Sequence, residues 1–158
     1  MAQSKLKRFI DKLEEVYQGD PWYGNAIKKD IDKVDPRLVF HKPLAQAHCI
    51  AELLAHMISW RELLLFKLQE DAAFAVKQET SFDWSRFDPN PETAWHTLTK
   101  TLDDNQRKII ALLQSADDGL LDQKVPDRIY TFRYLIEGII EHDVYHQAQI
   151  VLLAKGGS

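Results

Sequence analysis

Two histidines four residues apart, His142 and His146, have the clearest capacity for chemistry in this sequence. Residues at i and i+4 of a helix lie on one face about one turn apart, close enough for both imidazoles to bind one metal ion. Two core-facing histidines can equally be neutral, hydrogen-bonded packing residues, and the HxxxH pair alone leaves both interpretations open. A third histidine on a facing helix would favour the metal site.

Two of the other four histidines, His48 and His56, fall in the second long helix that the sequence predicts. On a helical wheel centred on Met57, His56 lies about 100° from the centre, at the edge of the buried face. His48 lies nearly opposite the centre. His56 is therefore the predicted third ligand, whereas His48, His41 and His96 are interpreted as surface or loop residues.

Three neutral imidazoles leave further positions of a divalent ion open to water or substrate, as in catalytic sites. Such an ion lowers the pKa of a bound water or thiol and polarises a carbonyl group. Imidazole suits zinc, nickel, iron and copper, among which we favour zinc or nickel. Gln149, one turn beyond His146, is the candidate catalytic residue, as a hydrogen-bond partner of a water on the metal. The carboxylates of Glu141 and Asp143 either act as acceptors or bases near the ligands or face solvent.

The elements that position these residues are helices, since no segment alternates convincingly between apolar and polar residues. Apolar residues at helical spacing, with Asn90 and Thr131 as N-caps, predict four long helices and a short one after Asn25. The long helices are expected at about 6–17, 45–76, 91–113 and 132–155. We predict an all-α protein, a four-helix bundle with a short extra helix, forming a single domain over residues 1–158.

The charge balance and the cysteine count narrow the function classes. Twenty basic and 24 acidic residues give a net charge of -4, so no global positive field attracts nucleic acid or anionic membrane, and neither partner is expected. The lone cysteine, Cys49, excludes an intrachain disulfide framework and is interpreted as a buried thiol. The sequence shows no signal-peptide apolar region and no membrane-spanning run, so we expect a cytoplasmic location.

Two apolar features permit more than one interpretation. The aromatic residues of the turn 21–24 and of the segment 60–62 either line the mouth of a pocket, with Trp22 or Tyr23 stacking on a substrate, or belong to the core. Further apolar residues beside the main stripe of the second long helix favour a homodimer through this face. These residues are Leu63, Leu65 and Phe66.

The segments CIAELLAH at 49–56 and EHDVYHQAQI at 141–150, together with the helix order, resemble the DinB-like superfamily. That superfamily includes DNA-damage-inducible DinB proteins, bacillithiol transferases and mycothiol-dependent maleylpyruvate isomerases, and the resemblance spans nearly the whole chain. It implies a metal held by His56, His142 and His146, in agreement with the helical wheel. The family motif continues as HxGQ, whereas this chain has Ala148 in place of the glycine.

The resemblance implies a divalent-metal-dependent enzyme of the thiol-transferase or hydrolase type. Its expected partners are a small-molecule substrate and a low-molecular-weight thiol as cosubstrate. The alternative is a non-catalytic metal-binding or stress-related helical bundle, because the sequence identifies no certain acid, base or nucleophile beside the three histidines.

Overall fold

The computed structural model describes residues 4–69 and 87–156. Within these ranges the chain forms the helices α1 (Lys5–Gln18), α2 (Ile27–Ile31), α3 (Ile50–Leu68), α4 (Pro91–Gln114) and α5 (Phe132–Gly156), and no β-strand. Helix α3 packs against both α4 and α5, and α1 closes the bundle against the same two helices. The predicted all-α architecture with a short extra helix is confirmed. None of these helices combines the length and apolar character that a membrane span needs.

Helix α3 begins later than its sequence predicts. The expected start was at about Ala45, but the first helical residue is Ile50. The reason is local: the side chain of Glu52 accepts the backbone N–H of Cys49 at 2.8 Å, which fixes the N-terminal turn at this point. The expected continuation to about Val76 lies outside the described residues.

Capping accounts for the other helix starts. Asn90 accepts a backbone N–H of the first turn of α4 at 3.0 Å, and Pro91 is the first helical residue, as predicted. Thr131 accepts a backbone N–H at the start of α5 at 3.4 Å. The cap predicted for α2 is one residue off, because Ala26 occupies the N-cap position and the Asn25 side chain instead donates to a carboxylate within the helix.

Two of the three apolar residues of α3 that suggested a homodimer lie in the core of this chain. Leu63 and Leu65 are 2% and 6% exposed and belong to a core cluster that includes Leu13 of α1 and Ile109 of α4. Phe66 is half-buried, and the homodimer stays a prediction. Trp22, for which the sequence left a pocket mouth and the core as alternatives, is 90% exposed and is therefore not a core residue.

A buried guanidinium connects the four long helices. Arg61 of α3 is 1% exposed, and its Nε and Nη2 donate to Oδ2 of Asp143 on α5 at 2.8 and 2.7 Å. Its Nη1 donates to Gln106 on α4 at 2.6 Å, and its guanidinium carbon lies 5.1 Å from the centre of the Tyr17 ring on α1. Arg61 is thus a core residue rather than part of a pocket mouth, and its contacts set the register of α3 against the other helices.

Replacing Arg61 by alanine leaves the Asp143 carboxylate buried without its cation. We expect Arg61→Ala to lower the free energy of unfolding by about 3–5 kcal/mol, measured by urea denaturation. Arg37→Ala, which removes an exposed arginine from an ion pair with a neighbouring residue, is the control and should unfold close to the wild-type midpoint. Equal stability of the two variants would contradict the role given to Arg61.

The loop before α5 caps the start of α1. The Asp118 carboxylate accepts the hydroxyl of Ser4 and the backbone N–H groups of Lys5 and Leu6, both at 2.9 Å. These bonds, that of Ser4 first, hold the pKa of Asp118 at about 2, below its ordinary value near 3.8. The ionised carboxylate therefore fastens the start of α1 to the segment between α4 and α5.

This cap predicts a pH-dependent contribution to stability. Because folding lowers the pKa of Asp118, its contribution is present above about pH 4 and is lost as the pH falls towards 2. Asp118→Ala should lower the melting temperature by about 2–4 °C at neutral pH, and the difference from wild type should narrow between about pH 5 and pH 2. Asp20→Ala, at another exposed aspartate, is the control, and a difference that stays constant with pH would contradict the assignment.

Candidate metal centre

Three histidine rings converge between α3 and α5. His56, His142 and His146 each place one ring nitrogen within 4.8 Å of the other two, as the sequence predicted. The ring centres of His142 and His146 are 4.3 Å apart, and that of His56 lies 4.9 and 5.1 Å from them. His146 is buried, whereas His56 and His142 are half-buried, so the cluster lies at the edge of the core.

Gln149 sets the orientation of one ring. Its Oε1 accepts a hydrogen bond from Nδ1 of His146 at 2.7 Å, so Nε2 of His146 carries the lone pair. That Nε2 lies 3.0 Å from Nε2 of His142. The residue chosen from the sequence as a partner of bound water therefore bonds directly to a histidine of the cluster.

The surroundings keep the imidazoles uncharged. Burial lowers the pKa of His56 to about 4, and the neighbouring rings of His142 and His146 add to this effect because a second positive charge is unfavourable there. Burial also lowers the pKa of His146, against a smaller opposing effect of its bond to Gln149. At neutral pH both rings are therefore in the form that can bind a metal.

The other three histidines lie outside the cluster, as predicted. His41 and His96 are exposed. His48 precedes α3, and its Nδ1 lies 3.2 Å from Oε2 of Glu52. It contributes no ligand atom to the cluster.

Aromatic side chains flank the cluster on both helices. The ring centre of Trp60 on α3 lies 5.9 Å from that of His142, and the ring centre of Tyr145 on α5 lies 4.9 Å from that of His146. Tyr145 is 62% exposed, so it extends to the surface beside the site. Of the segment 60–62, Trp60 therefore does lie at the site.

Two polar residues hold α5 in place, and the sequence reasoning named Asp143 among its alternatives but missed Gln147. Asp143 is fully buried and pairs with Arg61, so it does not face solvent. Gln147 donates to the carbonyl of Asn25 at 2.8 Å and to Asp30 at 2.7 Å. The signal was present in the helical wheel, where polar residues occupy buried positions of α5. Ala148, the departure from the family motif, is exposed.

A solved structure shares this fold along its whole length. It is the crystal structure of the colibactin self-resistance protein ClbS in complex with a dsDNA, which matches with a TM-score of 0.68 and 18% identity. The match covers 98% of this chain and 98% of that chain. A search of curated proteins gives no match.

The complex of ClbS with dsDNA overturns the expectation that nucleic acid is no partner. That expectation rested on the net charge of -4 alone. Net charge is a sum over the whole surface, and a protein of this fold is found on duplex DNA. Charge balance therefore does not exclude nucleic acid for a bundle of this kind.

A family model confirms the resemblance found in the sequence. The model of the DinB superfamily matches residues 29–150, which is well over half of the chain and includes all three histidines of the cluster. The protein belongs to the DinB superfamily.

Proposed function

We propose that this protein is a divalent-metal-dependent enzyme in which His56, His142 and His146 hold the ion. The observation that carries the proposal is the convergence of three ring nitrogens from two facing helices within 4.8 Å. Uncharged imidazoles collected at the edge of a core are the donor set of catalytic zinc and nickel sites, which keep positions open to substrate. The half-buried positions of His56 and His142 support such access.

Two of the three donors have a separation that suits one ion. Metal–nitrogen bonds of about 2.0–2.1 Å place two neighbouring ligand atoms on one ion about 3.0–3.4 Å apart. The Nε2 atoms of His142 and His146 are separated by 3.0 Å, at the lower end of that range. Because Gln149 binds Nδ1 of His146, Nε2 is the atom of this ring left to coordinate.

The bound ion supplies Lewis acidity, which favours the deprotonated form of a thiol or water and polarises a carbonyl group. The side chains around it do the rest. Gln149 keeps His146 in its ligating tautomer, and its amide group retains two N–H donors for the substrate. Trp60 and Tyr145 flank the ligands and offer apolar surface to the part of the substrate that does not react.

The family resemblance and the chemistry of the cluster together support a thiol as one of the substrates. A low-molecular-weight thiol as cosubstrate suits a site that favours thiolates, because the chain's own Cys49 is fully buried and burial raises the pKa of its thiol. Transfer of that thiol to a small electrophile, or hydrolysis at the same ion, are the reactions we assign. Duplex DNA belongs in the substrate panel because ClbS was crystallised with it.

Metal analysis of freshly purified protein tests the donor set. We expect about one divalent ion, zinc or nickel, per wild-type chain, and loss of most of it in His56→Ala and in the double variant His142→Ala, His146→Ala. His96→Ala removes an exposed histidine of α4 and should keep the wild-type content. The same metal content in all of these proteins would refute the proposed site.

Chelation separates an enzyme from a bundle that uses metal for its fold. The described helices already share a core of buried leucines and isoleucines and the Arg61 network, so metal removal should lower the melting temperature by only a few degrees. It should abolish turnover in a panel of low-molecular-weight thiols with electrophiles, activated esters and duplex DNA. A large loss of stability without any turnover in the loaded protein would instead support the non-catalytic alternative.

A further inference from the structure

Two neighbouring buried polar atoms at the histidine cluster have no hydrogen-bond partner. Nδ1 of His142 and Oδ1 of Asp143 are both inaccessible to solvent, and neither has a hydrogen-bond partner among the described residues. They lie 3.8 Å apart, just beyond hydrogen-bonding distance. Buried polar groups normally find partners, so two neighbouring exceptions call for a physical cause.

The tautomers of the histidines provide that cause. His146 donates its Nδ1 proton to Gln149, so its Nε2 is an acceptor. The Nε2 of His142 is 3.0 Å away and must then be the donor, since two lone pairs at this distance would repel each other. His142 therefore carries its proton on Nε2, and its Nδ1 is bare. A bare nitrogen and a carboxylate oxygen are both acceptors, which explains why they stay 3.8 Å apart.

Arg61 keeps the carboxylate of Asp143 in this position. Two of its N–H groups donate to Oδ2 at 2.8 and 2.7 Å, and a third donates to Gln106, which fixes the guanidinium itself. With Oδ2 engaged in this way, Oδ1 is the oxygen that remains for His142. The ion pair thus holds an acceptor beside the imidazole.

We propose that Asp143 is a positioning residue that switches the tautomer of His142 when the metal binds. The inference rests on the proposed metal site. Coordination through Nε2 requires that nitrogen to lose its proton, and the ring stays neutral if the proton moves to Nδ1. The Nδ1–H then donates to Oδ1 of Asp143, so both orphaned atoms gain a partner in the same step. A carboxylate that accepts from a ligating histidine fixes the ring and raises its basicity.

The wild-type protein allows a direct test by NMR. Long-range ¹H–¹⁵N correlations of histidine-labelled protein report which nitrogen carries the proton, with and without Zn²⁺. We expect His142 as the Nε2–H form without zinc and as the Nδ1–H form with zinc, its Nδ1 proton exchanging slowly with solvent. Zinc binding with no change of tautomer would overturn this inference and leave the metal site intact. Absence of zinc binding would overturn the metal site itself.

The variant Asp143→Asn changes the group that faces Nδ1 of His142 while keeping the size of the side chain. Its single amide oxygen will serve Arg61, so its NH₂ group will face Nδ1 of His142 and stabilise the tautomer that opposes metal binding. We expect zinc affinity to fall about 10–100-fold in a competition titration. Glu141→Gln removes an exposed carboxylate on the other side of His142 and should change the affinity by less than about twofold.

Melting of the metal-free variants separates positioning from folding. A folded Asp143→Asn protein that binds zinc as tightly as Glu141→Gln would overturn the proposal, whereas weakened binding by a folded variant supports it. If Asp143→Asn does not fold, the NMR experiment on wild type decides, because it needs no substitution.

Discussion

The structure depends on one buried charge. Arg61 lies in the middle of the bundle at 1% exposure, and a guanidinium in such a place must find partners for its donors. It finds them on every other long helix: Asp143 on α5, Gln106 on α4 and the ring of Tyr17 on α1. A shift of α3 by one turn would break all three contacts at once. The register that they fix is the one that brings His56 opposite the two histidines of α5.

Burial, which requires Arg61 to find partners, also lowers the pKa of histidines in the cluster. Removal from water disfavours the charged imidazoles, so the pKa of His56 falls to about 4 and that of His146 is lowered as well. One nitrogen of the cluster, Nδ1 of His142, has no hydrogen-bond partner in the described part of the chain. The arrangement is compatible with a divalent cation held by the three rings.

Much of this could be predicted from the sequence, and the failures have physical reasons. Helical periodicity and the Asn90 cap gave the long helices, and the wheel singled out His56, because these features depend on local geometry. The start of α3 was missed because it depends on one side-chain bond of Glu52. The pairing of Arg61 with Asp143 was missed because a single sequence does not show which residues meet across helices. The prediction that nucleic acid is no partner was wrong because net charge carries no information about how charges are distributed over the surface.

The proposed metal site offers a reason for the desolvation cost of the buried ion pair. Apolar residues of similar volume would often hold a bundle as well as a buried salt bridge does, without the desolvation of two charges. Arg61 and Asp143 are therefore an expensive means of fixing helix register if stability is their only task. A carboxylate that is fixed through one oxygen and leaves the other beside His142 has a second use, which an apolar pair does not offer. In the proposed site, the pair of Arg61 and Asp143 therefore belongs to the metal centre as well as to the core.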